Sequence, residues 1–123
     1  WFRKAAEAGF FVSQYKLGDI FYNGKGVSVD YDEAVKWFRK AAGQGDASAQ
    51  YNLGKCYFKG HGVKQDYVEA YKWGALSAMQ TNPLGKHLRD TVSAVMTHEQ
   101  IEEGKRRVQA ANAASEKNDD RVP

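Results

Sequence analysis

Three histidines, one cysteine and two Asp/Glu pairs are the groups in this chain whose types could do chemistry. His61, His87 and His98 stand apart from one another, with no second His or Cys at a metal-ligand spacing, so they read as turn or surface histidines and no metal is expected. Asp30 with Glu33, and Asp66 with Glu69, resemble paired carboxylates for acid–base work. Each pair precedes an apolar helical pattern, however, and an acid followed three residues later by Glu reads as a capping box. Cys56 lies beside Lys55 and close to Lys59, which would favour a thiolate. Its competing role is that of a small buried apolar residue. Gly24-Lys25-Gly26 and Gly60-His61-Gly62 could cradle a phosphate, but no P-loop or dinucleotide pattern surrounds them, and they suit tight turns. No nucleophile, base and orienting group form a set, so no catalytic residue and no cofactor is expected.

The Asp/Glu pairs and the glycine turns recur because the chain does. Trp1, Trp37 and Trp73 are 36 residues apart, and the same shift pairs Gln14 with Gln50, Tyr15 with Tyr51, Leu17 with Leu53 and Gly18 with Gly54. It also pairs Gly24 with Gly60, Gly26 with Gly62, Val27 with Val63, Asp30 with Asp66, Tyr31 with Tyr67, Glu33 with Glu69 and Ala34 with Ala70. A fixed period in this range marks a stacked-repeat architecture. The repetition decides between the readings above: carboxylates at the same place in two units cap helices, and tryptophans recurring beside alanines pack rather than form a ligand-stacking box.

The periodicity predicts an all-α chain with helices near 11–22, 30–42, 47–59, 66–79, 83–96 and 98–115. Trp1 to Ala8 reads as the end of a helix stopped by Gly9, its first turns expected upstream. Leu17, Gly18 and Phe21 share a face with Gln14 one turn before; Tyr31, Ala34, Phe38 and Ala41 share another, with Trp37 and Ala42 beside them. Asp46 is expected to cap the helix that buries Ala49, Leu53 and Tyr57. Asn82-Pro83 is a strong helix start, followed by Leu84, Leu88, Val92 and Val95 at helical spacing. Thr97 with Gln100 forms a further capping box, opening a helix with Ile101, Val108 and Ala111 on one side. The glycine turn is missing here, so Asn82 to Ser115 reads as a degenerate pair capping the stack. The expected layout is one domain over 1–115, with a half-repeat at 1–9, units at about 10–45 and 46–81, a cap at 82–115 and a flexible tail at 116–123. Phe10 replaces the capping Asp46, and Phe10, Phe11 and Val12 together need cover, from a preceding repeat or from a partner.

Apolar residues at 42% and charged ones at 27% exclude a disordered chain, and a net charge of +3 with both signs interleaved gives no reason to expect nucleic acid. One cysteine allows no internal disulfide. No apolar run reaches the ~18 residues of a membrane span, and no signal peptide is visible. The compartment stays open between bacterial cytoplasm and periplasm or cell envelope, and the expected state is a monomer.

The stretch AQYNLGKCYFKGHGVKQDYVEAYKW, Ala49 to Trp73, resembles the Sel-one-like repeat (SLR), a relative of the tetratricopeptide repeat. SQYKLGDIFYNGKGVSVDYDEAVKWFRKAAGQG, Ser13 to Gly45, matches it nearly throughout, and MTHEQIEEG, Met96 to Gly104, is similar to a C-terminal cap segment of bacterial members. The resemblance implies antiparallel helix pairs stacked into a right-handed α-solenoid, and an adaptor or scaffold role in protein complexes. One subgroup staples each repeat with a cysteine pair; here Ile20 stands where Cys56 sits one repeat on.

Three functions remain in view: a non-catalytic scaffold binding a protein or peptide on its concave face, the C-terminal stabilising segment of a longer cell-envelope protein, and a peptidoglycan-related enzyme. In helix-pair solenoids the first helix of each pair lines the concave face. Recognition is then expected where the first helices differ: Val12 against Ser48, Lys16 against Asn52, Asp19 against Lys55, and Asn23 against Lys59. Tyr15 and Tyr51 stand between them, and His87 would extend their row. An acidic or amphipathic segment of a protein partner suits this mixture.

Overall fold

Side-chain caps start the helices where their residue types lead one to expect. The Asp30 carboxylate accepts from the Glu33 N–H at 3.1 Å, Asp66 from Glu69 at 3.1 Å and Asp46 from Ala49 at 3.3 Å. Asn82 accepts from Leu84 at 3.0 Å with Pro83 as the first helical residue. Thr97 and Gln100 satisfy each other's backbone N–H groups, at 2.9 and 3.1 Å. The Asp/Glu pairs differ from the full box in one respect. Glu33 and Glu69 do not reach back; the Asp30 N–H donates instead to the Phe21 carbonyl at 2.9 Å, and Asp66 to Tyr57 at 3.0 Å. Each cap therefore ties the second helix of a pair to the end of the first.

The computed structural model describes residues 2–120, with side chains for 4–113. Among them lie seven helices and no strand: α1 Phe2–Glu7, α2 Phe11–Asn23, α3 Tyr31–Gly43, α4 Ala47–Lys59, α5 Tyr67–Met79, α6 Pro83–Ser93 and α7 His98–Asp120. Trp1 lies outside the described residues, as do 121–123 of the expected tail. From α1 to α6 each helix packs on the next, and α2/α3 and α4/α5 are the two complete hairpins of an α-solenoid.

Small residues let these helices close. A Cβ on Gly18 would stand 2.6 Å from the Phe38 ring, and one on the equivalent Gly54 2.8 Å from Leu88. Ala34, Phe38, Ala41, Ala42, Ala49, Leu53 and Cys56 form the buried centre between the two hairpins. Ala70, Tyr71, Ala75, Leu88 and Val92 form the next cluster, and Ala6, Leu17 and Trp37 the first. The turn after α4 seats the second unit on the first. Gly62 takes φ +76° where an added Cβ would collide with the Tyr31 carbonyl oxygen, while a Cβ on the equivalent Gly26 would meet nothing within 4 Å.

The last two helices do not repeat the hairpin. α6 ends at Ser93, not near 96, in a tight turn where Val95 N–H donates to the Val92 carbonyl. Leu84 and Val95, expected on the buried face, are exposed, while Leu88 and Val92 are buried. α7 turns back over α5: Gly104 lies against the Tyr71 ring, and Arg107 pairs with Glu69 at 2.9 Å. With no side chain at 104, the tyrosine rests directly on the helix backbone. α7 also runs to Asp120, five residues beyond the expected 115.

Candidate functional site

The residues that differ between units come together along α2 and α4. On α2 the Asp19 carboxylate takes Lys25 Nζ at 2.7 Å and the Asn23 amide at 2.6 Å. The Asn52 side chain donates to the Ser48 carbonyl at 2.9 Å. Lys55 reaches across the two helices. Its ammonium lies 4.8 Å from the centre of the Tyr22 ring and 5.6 Å from that of Tyr51, within range of both aromatic faces. Val12, Lys16, Lys59 and His87 are exposed, and among the described residues no hydrogen bond or ring contact ties His87 to the others. Of the eleven expected positions, then, direct contacts join Asp19 to Asn23, Asn52 to Ser48 and Lys55 to Tyr51, and Lys55 bridges to Tyr22 of α2.

Burial shapes its electrostatics. Desolvation, then the Asp19 charge, raises the Tyr15 hydroxyl above its usual value, and burial pushes Tyr22 up to about 12. The Lys55 ammonium is lowered, first by desolvation and then by Lys59 one turn on. Lys25 is raised by its hydrogen bond to Asp19. Both tyrosines thus stay neutral hydroxyls across ordinary pH, next to a cation that burial makes less comfortable.

Tyr22 and His61 were not among the expected residues. The Tyr22 hydroxyl lies 3.1 Å from His61 Nδ1, and the His61 ring stacks on Tyr31 at 4.2 Å with 6° between planes. His61 is a turn residue, as expected, but it joins the units instead of facing solvent alone. The repeat carries a signal for Tyr22: Tyr22 and Phe58 share a repeat position, as do Tyr31 and Tyr67, and within each unit the two rings meet, Tyr22 with Tyr31 at 5.1 Å and Phe58 with Tyr67 at 5.7 Å.

The other chemical candidates resolve into packing. Cys56 is fully buried, and desolvation carries its thiol up to about 11 against the smaller pull of Lys55 and Lys59. Trp37 is 1% exposed, with Lys36 and Lys40 over its ring, and offers no face to a ligand. Among the described residues no group of three or more His, Cys, Asp and Glu is placed to hold a metal. Among the described residues no helix is long and apolar enough to cross a membrane.

The Sel1 repeat model matches residues 1–10, 12–46 and 47–82, in register with the hairpins above. The chain belongs to the Sel1 repeat family. A protective antigen present in uropathogenic Escherichia coli strains, displaying an SLR fold, superposes with a TM-score of 0.87 at 38% identity, over 90% of this chain and 24% of that one. A Sel1 repeat protein from Oxalobacter formigenes gives 0.73 at 36% identity, over 75% of this chain and 27% of its own. No curated protein matches. The chain spans about a quarter of the length of these solved structures. Sel1 repeats generally mediate protein–protein interactions, and their families are typically non-catalytic scaffolds.

Proposed function

We propose that this Sel1 repeat chain is a scaffold that holds a protein or peptide partner on the face made by α2 and α4, extended by the start of α6. Val12, Tyr15, Lys16, Asp19, Asn23, Ser48, Tyr51, Asn52, Lys55, Lys59 and His87 are the contacts of that reading. One observation carries it. Gln14 and Gln50, Leu17 and Leu53, and Gly18 and Gly54, identical between units, are buried in the stack, whereas Val12 and Ser48, Lys16 and Asn52, Asp19 and Lys55, and Asn23 and Lys59, which differ, all keep exposed surface on the same helices. Packing explains the first set, and the second is placed where a partner could read it. Residues 1–115 act here as one stacked unit whose last two helices close it.

A triple change, Tyr51→Ala with Lys55→Glu and Lys59→Glu, tests the reading in a chain whose helical signal and melting are first checked. It should weaken binding of the native partner by about tenfold or more, as loss of a central anchor does. Unchanged affinity would move the site elsewhere.

A second reading rests on length. Because the chain matches only about a quarter of its solved relatives, it also suits the stabilising segment of a longer cell-envelope protein. Binding of this chain to the rest of such a protein, in place of an outside partner, would favour that reading.

A further inference from the structure

Among the described side chains Lys55, Lys72, Arg89 and Arg107 are the partly buried cations, and of these four Lys55 is the one with no carboxylate within 4 Å. Among the described residues, Lys25 is held by Asp19 at 2.7 Å, Lys72 by Glu69 at 3.4 Å, Lys105 by Glu102 at 3.6 Å and Arg107 by Glu69 at 2.9 Å. Lys55 is half-buried over two tyrosine rings, and no described carboxylate lies within 4 Å of it. Asp19 does exert its charge on Lys55, but its two oxygens are taken by Asn23 and Lys25. The repeat register makes the contrast sharper. Lys55 occupies in the second unit the place Asp19 holds in the first, so the charge inverts at a position flanked by tyrosines on both helices.

We propose that Lys55 anchors an acidic side chain, Glu or Asp, of a peptide lying across α2 and α4. This rests on the partner face assigned above and names the chemistry that face selects. The two rings hold the ammonium in place, so little side-chain freedom is lost when a carboxylate arrives. Burial and Lys59 already disfavour the charged form, and an anion at hydrogen-bond distance reverses that penalty. The row continues past Lys55 in both directions, toward Tyr15 and Asn52 on one side and Lys59 on the other. A chain crossing the face therefore presents a side-chain carboxylate, not its terminus. Tyr22 and Tyr51 supply flat apolar surface for the residues beside the acid.

The test is an amide-NMR titration of the full chain with three short peptides. The first is acetylated and amidated, Gly-Glu-Leu-Glu-Leu-Glu-Gly; the second has every Glu replaced by Gln; the third is the Gln peptide with a free C-terminal carboxylate. The Glu peptide should bind about tenfold tighter than either other peptide, the scale of a charge-assisted hydrogen bond, and shift the amides of α2 and α4. Lys55→Gln should erase that preference, while Lys72→Gln, on α5, should keep it. Equal binding of all three peptides, binding of none, preference for the free terminus, or a Glu preference that survives Lys55→Gln would each overturn the proposal. The partner face is tested separately: if the triple change weakens the native partner but Lys55→Gln leaves the Glu preference intact, the face stands and the anchor falls.

Discussion

The side-chain amide of Gln80 donates to Gln50 Oε1 at 2.9 Å, and thirty-six residues earlier Gln44 donates to Gln14 Oε1 at 2.7 Å. Each inner glutamine donates in turn to the end of the preceding helix, Gln14 to the Ala6 carbonyl at 3.1 Å and Gln50 to the Ala42 carbonyl at 3.4 Å. A ladder of amides thus links three successive turns of the solenoid. It gives a second donor to helix-end carbonyls that already accept from the Gly9 and Gly45 N–H groups. Gln50→Ala removes one hydrogen bond to the Ala42 carbonyl, which keeps its backbone donor Gly45, and one from Gln80, so it should cost about 0.5–1.5 kcal/mol per bond, and a double-mutant cycle with Gln80→Ala should give a coupling of roughly 0.5 kcal/mol or more. Strict additivity in urea melts would mean the ladder carries no energy.

Gly62 and Gly26 test whether the turn of the second unit seats it on the first. Both have positive φ, so alanine at either costs about 1 kcal/mol in backbone strain. Only at 62 would the new methyl collide with the Tyr31 carbonyl and stand 2.9 Å from Val35. Gly62→Ala should therefore lose about 1–3 kcal/mol more than Gly26→Ala. Equal losses in chemical denaturation would show that the turn is not seated.

Trp37 and Trp73 share a repeat position but not an environment. Trp37 is fully buried against Ala6 and Leu17, whereas Trp73 is half-buried beside α7. Trp37→Ala should destabilise the chain by about 3–5 kcal/mol, and Trp73→Ala by clearly less. A loss below about 1 kcal/mol at Trp37 would reopen the ligand-stacking role.

Cys56 predicts an alkaline loss of stability. Its folded thiol is raised from 9.0 to about 11 by burial, so the folded chain holds the proton that the unfolded chain releases. The thiol's contribution is fully present below pH 9.0 and disappears as pH rises through about 11. At ~1.4 kcal/mol per pH unit over that window, the loss approaches ~3 kcal/mol. Cys56→Ala should show a correspondingly shallower fall in unfolding free energy between pH 8.5 and 11, about 2 kcal/mol less in total. Parallel curves for the two proteins would contradict the buried thiol. The same burial should keep Cys56 unreactive toward thiol reagents until the chain unfolds.

The repeat, the helix order and the caps were legible because each leaves a local mark: an Asp before an apolar run, a Pro after Asn82, a glycine turn every 36 residues. The failures are non-local. Nothing in the spacing of Gly104 or Arg107 says that α7 turns back onto α5, since that choice depends on Tyr71 and Glu69 more than thirty residues away. Leu84 and Val95 follow a helical period, but Leu84 lies in the first turn of α6 and Val95 two residues past its end, outside the stretch that buries Leu88 and Val92 between them. At the candidate site, position differences located Lys55 and Asp19. The contribution of Tyr22 and His61 came from one unit's turn folding over the other unit's rings. Phe10, Phe11 and Val12 remain exposed, and the α2 cap lacks the side-chain hydrogen bond that Asp46 gives α4.

The central claim is that a protein partner lies on α2 and α4. Amide hydrogen exchange of the chain alone and in complex with its isolated native partner measures this directly. The account predicts added protection across Tyr15 to Asn23 and Ser48 to Lys59, with α3, α5 and α7 unchanged. Protection confined to α3, α5 or α7 would contradict it.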